Sequence, residues 1–134
     1  MMPATDSFAN ALAKKFGNLA ATRDLLKTLR RNGALEILIL LREMKEVRST
    51  DIESLITSTG AAESSSIWAR LRDLKAHGVV EETPHEKGMK LSTVKNRLTA
   101  AGLRLMDTFY ELNKELAELP KPVAPIEGPY RVER

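Results

Sequence analysis

Several features are scarce in this sequence, and each absence excludes a class of protein. The 134 residues include no cysteine, which excludes a disulfide framework, a thiol nucleophile and a thiolate metal site. The longest uninterrupted apolar run is the five-residue stretch Ile37–Leu41, far shorter than the ~20 residues that cross a hydrocarbon layer. The N-terminus contains Asp6 and no apolar segment typical of a secretory signal, so a cytoplasmic location is expected.

Composition and length indicate one globular domain with extensions. The chain is 43% hydrophobic, 29% charged and only 4% aromatic. Its hydrophobic and charged fractions are close to the average for soluble domains. A net charge of +3 permits an anionic partner without requiring one. The charge is uneven, because residues 1–31 hold six basic and two acidic residues whereas residues 107–119 hold one basic and four acidic residues.

The first half of the chain has helical periodicity. Apolar residues recur at three-, four- and seven-residue steps over residues 7–31, which predicts one long helix with a kink or break at Gly17. After the turn at Asn32-Gly33, residues 34–46 are apolar over most of a helical circumference and are expected in the middle of the domain. An extended link follows at 47–49. The spacing of Thr50 and Glu53 predicts a capping box that starts a short helix over 51–58.

The second half predicts a helix, a hairpin and a final helix. Residues 62–77 form a helical pattern that ends at Gly78, in the position of a left-handed cap. Residues 79–83 and 93–98 have strand character and are expected to form a β-hairpin with a long loop. Thr99 is placed to cap a last helix over 100–119, which has two apolar stripes, and a proline-rich tail follows at 120–134.

The motif SSSIWARLRDLKAHGVVEE followed by NRLTAAGLRLM resembles the winged-helix transcriptional regulators of the MarR, HxlR, PadR and ArsR groups. The resemblance covers about Gly33 to Met106. It implies a mainly α fold with a small β-hairpin, namely a winged helix-turn-helix with N- and C-terminal dimerisation helices. It further implies that SSSIWARLRDLKAHG is the recognition helix, that VVEETPHEKGMKLSTVKNRLT is the wing and that LTAAGLRLM begins the last helix.

The candidate DNA-binding residues lie in this recognition helix and wing. A helix that enters the major groove presents its N-terminal turns to the bases, so this end should be small, polar and free of acidic residues. Ser64, Ser65 and Ser66 meet this expectation, whereas Glu63, just before them, would lie near phosphate. The candidates are Ser64, Ser65, Ser66, Trp68, Ala69, Arg70 and Arg72 in the helix, and Lys87, Lys90, Lys95 and Arg97 in the wing.

Each of these candidates also has a purely structural interpretation. The serines could be ordinary capping residues, the two arginines could be solvated surface, and Glu81, Glu82 and Glu86 could neutralise the wing cations. Trp68 could be either a partly buried packing residue or an exposed groove or interface residue. Relatives tend to have a small polar residue near this position, so Trp68 departs from their pattern.

The sequence offers no catalytic or metal-binding constellation. His77 and His85 are the only histidines, and no third ligand is spaced to complete a metal site with them. No glycine-rich phosphate loop follows a strand, and no Ser-His-Asp set can be proposed. We therefore assign no catalytic residue and no cofactor.

The organisation expected from these observations has four parts. Residues 1–32 form an N-terminal amphipathic helix for dimerisation, 33–106 the winged-helix DNA-binding domain, 99–119 a C-terminal dimerisation helix and 120–134 the tail. The alternative is that both terminal helices fold back over their own domain.

The predicted function is that of a homodimeric regulator that binds double-stranded DNA sequence-specifically and acts as a repressor by occluding a promoter. The alternatives are an architectural or plasmid-partition protein that coats DNA and a winged-helix protein-interaction module. Small-molecule effectors are common in the groups resembled, but the sequence identifies none.

Overall fold

A computed structural model of the chain describes residues 3–17, 19–86, 88, 90 and 93–120. In these residues no helix combines the length and the apolar character needed to cross a membrane. The elements, in chain order, are α1 (Pro3–Lys15), α2 (Leu19–Leu29), α3 (Ala34–Met44), β1 (Val47–Arg48), α4 (Ser49–Thr57), α5 (Ser64–Ala76), β2 (Val80–Glu82), β3 (Lys95–Leu98) and α6 (Ala100–Glu118).

The N-terminal amphipathic segment is broken where the sequence predicted a kink or break. Helix α1 ends at Lys15 and α2 begins at Leu19, so Gly17 lies between two helices. All described side chains of α1 are exposed except Ala11 and Leu12, which are half-buried. Helix α1 therefore buries little of its own surface within one chain.

The core is built around α3 and consists of aliphatic residues and one methionine. Ile37 and Leu38 are fully inaccessible, which confirms that this apolar helix lies in the middle of the domain. Burial removes apolar surface from water and is the main stabilising contribution here. The buried cluster consists of Ile37, Leu38, Leu41, Val47, Ile52, Ile56, Ile67, Leu71, Leu74, Val79, Val80, Leu98 and Met106.

The predicted β-hairpin is confirmed as β2 and β3, and β1 extends it to a three-stranded antiparallel sheet. The strand order is β1-β3-β2, with Val80 opposite Leu98 and Val47 opposite Asn96. Strand β1 is only two residues long, so it offers no alternation that a sequence pattern could detect. It pairs with β3 across almost fifty positions of sequence, and this contact attaches the hairpin to the helical core.

The predicted capping box at the start of α4 is wrong. The helix begins at Ser49, its N-cap residue is Arg48, and no side chain caps it. The backbone N–H of Ser49 instead donates to the carbonyl oxygen of Val94 at 3.2 Å. Because β1 leads directly into the helix, Thr50 lies within the first turn rather than before it.

A buried amide joins the sheet to the start of α4. Asn96 is fully buried, and Val94 and Leu98, two positions to either side, are buried as well. Its Nδ2 donates to the Ser49 hydroxyl at 2.9 Å and to the carbonyl oxygen of Val47 at 3.3 Å. These bonds satisfy Nδ2, which would be costly to bury unpaired, whereas Oδ1 of Asn96 has no hydrogen-bond partner among the described residues.

The last helix is anchored at its N-terminal half only. The Thr99 hydroxyl accepts from the backbone N–H of Gly102 at 3.0 Å, which confirms the predicted cap. Further along, Arg42 of α3 bonds to Asp107 at 3.2 Å and lies 4.7 Å from the centre of the Tyr110 ring. From Tyr110 onward every described side chain is exposed, so the second half of α6 extends away from the core.

Candidate nucleic-acid interface

Helices α4 and α5 form a helix-turn-helix, with a turn over residues 58–63. Gly60 in this turn has φ +78°, a left-handed conformation that glycine adopts without strain. The Thr59 hydroxyl donates to the carbonyl oxygen of Ile56 at 2.6 Å and accepts from the N–H of Ala61 at 3.2 Å. This local network fixes the angle at which α5 begins.

Helix α5 has one buried face and one open face. Ile67, Leu71 and Leu74 are buried in the core, as the periodicity predicted. Ser66 and Ala69 are half-buried at the boundary of this face. The open face, which we call the outer stripe, consists of Ser64, Ser65, Trp68, Arg72 and Ala76.

The outer stripe presents hydroxyls, one aromatic ring and one guanidinium. Arg72 has a side chain 78% exposed, and Trp68 is 37% exposed, which places the indole ring on the surface rather than in the core. The stripe contains no carboxylate. Glu63, the N-cap residue, is exposed and its side chain does not cap the helix, so this carboxylate lies beside the serines.

Arg70 occupies a different environment from Arg72. Its side chain is only 13% exposed, and both its Nε and its Nη2 lie 3.2 Å from Oδ2 of Asp73. A DNA contact by Arg70 stays a prediction, and making it would require the guanidinium to leave this carboxylate. The same Asp73 lies 3.9 Å from Nε of Arg72, a weaker contact at a highly exposed group.

Carboxylates pair with part of the positive charge in the wing. Arg97 of β3 bonds through Nε to Glu81 of the facing strand at 2.8 Å. In contrast, Lys90 and Lys95 are exposed and make no ion pair with any described residue. Lys87 lies outside the described residues. Among the described residues, Lys90 and Lys95 are thus exposed to solvent without an ion-pair partner, whereas Arg97 is paired.

One ionic cluster connects α5 to the wing. Lys75 donates to Glu82 at 2.8 Å, and His85 Nε2 lies 3.3 Å from the other oxygen of the same carboxylate. The hydrogen bond from Lys75 lowers the pKa of Glu82, and the charge of Lys75 and the contact with His85 act in the same direction against the effect of burial. Sequence reasoning missed this link, because Lys75 and Glu82 are separated by the turn at Gly78.

The two histidines serve structural contacts. Nε2 of His77 lies 3.0 Å from the Thr28 hydroxyl, so α2 is held against the end of α5. In the part of the chain that the structure describes, no group of three or more histidine, cysteine, aspartate or glutamate residues could hold a metal ion.

Comparison with known proteins gives structural similarity without a close sequence relative. No protein-family profile matches the chain, and no curated protein sequence matches it. Among solved structures, the homodimeric winged helix-turn-helix DNA-binding domain of Mb0332 from Mycobacterium bovis, a possible ArsR-family transcriptional regulator, is 24% identical with a TM-score of 0.58, over 78% of this chain and 89% of that one.

Two further structures agree with this comparison. Reduced HlyU from Vibrio cholerae is 20% identical with a TM-score of 0.56, over 75% of this chain and 97% of that one. The MarR family regulator NMB1585 from Neisseria meningitidis is 13% identical with a TM-score of 0.55, over 87% of this chain and 77% of that one. With its helix-turn-helix, three-stranded sheet and flanking helices, the chain is similar to these proteins in architecture and has the winged helix-turn-helix fold.

Proposed function

We propose that the protein is a homodimeric transcriptional regulator that binds double-stranded DNA sequence-specifically and represses by occluding a promoter. The observation that carries this proposal is the outer stripe of α5. It combines two exposed serines, an exposed tryptophan and a highly exposed arginine without a carboxylate. Hydroxyls and guanidinium groups bond to phosphates and base edges. The structurally similar Mb0332 domain is a DNA-binding one, which supports the same role.

The dimensions of the outer stripe suit the major groove. Ser65 and Arg72 are seven positions apart, which corresponds to roughly 10 Å along a helix axis. Successive base pairs are ~3.4 Å apart, so the stripe can contact about three of them. The N-terminus of α5 also has free backbone N–H groups and a positive dipole end, which attract phosphate.

The wing supplies a second contact in this proposal. Lys90 and Lys95 are exposed and unpaired among the described residues, so they can neutralise backbone phosphates beside the groove. Arg97 first has to exchange Glu81 for phosphate. We therefore assign the wing a positioning contact with the DNA backbone and assign base selection to α5.

The dimer is proposed from apolar surface that one chain leaves uncovered. Helix α6 exposes Leu112 and Leu116, and Leu119 follows its last turn. The N-terminal helices add Phe8 and Leu26. Exposed apolar side chains grouped along the end of α6 usually mark an interface, and a twofold assembly would present two copies of α5 to successive major grooves ~34 Å apart. The Mb0332 domain is itself homodimeric.

Selection of bound fragments from random duplexes tests the proposal. We expect an enriched sequence with two half-sites whose centres lie about one helical turn apart. Titration of that duplex in a mobility shift should give an affinity at least ~10³ above unrelated duplexes. Equal affinity for all duplexes, with a steep loss in salt, would indicate a DNA-coating protein instead. Absence of any shift at low salt would indicate a protein-interaction module.

A further inference from the structure

The position of Trp68 is unusual for the only tryptophan of the chain. No other aromatic residue occurs between Gly17 and Thr108, so Trp68 is the single aromatic side chain of the winged region. The buried core contains only aliphatic residues and one methionine as apolar side chains. The indole ring of Trp68 lies instead on the outer stripe of α5, where the residue remains 37% exposed. The residue with the largest apolar surface is thus outside the core.

The side chains around the Trp68 ring indicate what kind of partner would bind to it. Ser64 and Ser65 lie one turn before Trp68 and Arg72 lies one turn after it, and all three are exposed. None of these neighbours is acidic, and within the described residues the indole N–H makes no hydrogen bond. An apolar ring between hydroxyls and a guanidinium matches a partner that is anionic at its edges and has a small apolar group between them.

From this arrangement, and resting on the proposed function, we propose that Trp68 contacts the C5-methyl group of thymine in the major groove. The chain would therefore select C5-methylated pyrimidines at one position of each half-site. The thymine methyl is the apolar group that a major groove displays, and it is contacted by apolar side chains. Cytosine and uracil lack this methyl group, whereas 5-methylcytosine has it at the same place.

The helix geometry predicts where this thymine lies. Trp68 comes three residues after Ser65 and four before Arg72, or roughly 4.5 Å and 6 Å along the axis. With ~3.4 Å between base pairs, the thymine should lie within about two base pairs of the base or phosphate that Arg72 contacts. A thymine elsewhere in the half-site should not be sensed by Trp68.

Replacement of single thymines by deoxyuridine tests the contact. In the selected duplex, one thymine per half-site should be sensitive, with an affinity loss of about fourfold, the factor expected when one methyl loses its apolar contact. Placing 5-methylcytosine, paired with guanine, at that position should bind more tightly than cytosine by a similar factor. These titrations use the full chain and the wild-type duplex as reference.

Variants assign the effect to the ring. Trp68→Ala should bind the thymine and deoxyuridine duplexes within twofold of each other, whereas Trp68→Phe should keep part of the preference. Leu55→Ala is the matched control, because Leu55 is also exposed and apolar but lies in a groove lined by residues of α3, β1, α4 and β3. It should keep the full preference. Circular dichroism should show that all three variants are folded.

Fluorescence gives an independent measurement, because Trp68 is the only tryptophan. Addition of the selected duplex should quench and blue-shift its emission as the ring leaves water. Sequence-specific binding with unchanged emission, or a Trp68→Ala variant with the wild-type deoxyuridine sensitivity, would overturn this inference and leave the proposed function intact. Failure of the wild-type chain to bind any duplex would overturn both.

Discussion

The Cα atom of Gly102 is packed directly against the carbonyl oxygen of Val79. A Cβ atom at this position would overlap that oxygen and would also lie 3.3 Å from Leu98 Cδ2. The same carbonyl accepts a hydrogen bond from the N–H of Thr99 at 3.0 Å, so it cannot move away freely. This contact sets the distance between the start of α6 and the first strand of the hairpin.

Gly102→Ala is therefore expected to destabilise the protein. Overpacking of this kind costs roughly 1 to 3 kcal/mol, despite the better helix propensity of alanine. Urea denaturation followed by circular dichroism would measure the change. Ala101→Ser, on the exposed side of the same turn, is the control and should cost only about 0.5 kcal/mol. Equal stability of Gly102→Ala and wild type would contradict the close approach of Gly102 to the Val79 carbonyl.

Arg72→Ala should weaken DNA binding without affecting the fold. The Arg72 side chain is 78% exposed, so its loss removes no core contact. A base contact would cost ~1 to 3 kcal/mol and relax specificity at one position. A mobility shift with the selected duplex would measure it. Lys114→Ala, in the exposed second half of α6, should bind as tightly as wild type, and an Arg72→Ala variant that does so too would remove Arg72 from the interface.

Arg70→Ala should affect stability before it affects binding. The guanidinium is bound to Asp73 in a largely covered position, and its alkyl chain packs near Gly33. The alanine variant loses this packing and leaves the Asp73 carboxylate without Arg70, which should lower the free energy of unfolding by roughly 1 to 2 kcal/mol. Thermal unfolding would measure it. A variant with wild-type stability and weakened DNA binding would show that Arg70 contacts DNA directly.

Leu116→Glu is expected to shift the proposed dimer towards monomer. Leu116 is exposed on the half of α6 that extends away from the core, and a charge there would be buried unpaired in a helical interface. Analytical ultracentrifugation across a range of concentrations would detect the change. Glu115→Gln, at the adjacent exposed position, should behave as wild type. If Leu116→Glu sediments like wild type, the interface lies on another surface.

The Glu82 carboxylate should make stability depend on pH in the acidic range. Its pKa is lowered in the folded chain from the ordinary value of 4.5, so the unfolded chain takes up the proton first. The stabilisation is complete at neutral pH and is lost as the pH falls below 4.5 through the lowered pKa.

A comparison of Glu82→Gln with wild type measures this contribution. The melting temperature of the variant should be lower at pH 7, and the difference should shrink as the pH falls through the acidic window. Glu86→Gln is the control, because Glu86 makes no ion pair with any described residue. A difference between Glu82→Gln and wild type that stays constant with pH would show that the ionised carboxylate is not responsible.

Local periodicity was sufficient to predict most of the helices, because apolar spacing and terminal residues are encoded within a few positions. Two predicted caps are examples. The Thr99 hydroxyl accepts a hydrogen bond from the N–H of Gly102 at the start of α6, and Gly78 has a φ of +76° just after α5. The extended conformation of Val47 and Arg48 was predicted, but two residues could not show that they pair as a strand. The pairing of β1 with β3 depends on chain segments that meet only in the folded protein.

The candidate site was predictable in its location but not in its charge balance. The exposed positions Ser65, Trp68 and Arg72 follow from helical spacing once Ile67 and Leu71 face the core. The pairing of Arg70 with Asp73 could not be distinguished from solvation of Arg70, because both are compatible with the same spacing. The link between Lys75 and Glu82 depends on the direction in which the chain leaves Gly78.

The buried amide of Asn96 determines more than one set of hydrogen bonds. A slip of β3 by one residue would move either Lys95 or Arg97 into the inaccessible space that Asn96 occupies, and burying an unpaired cation there would be prohibitively costly. One-residue shifts in the alignment of the hairpin are therefore excluded, so Asn96 determines which side chains of β3 face the core and which face solvent.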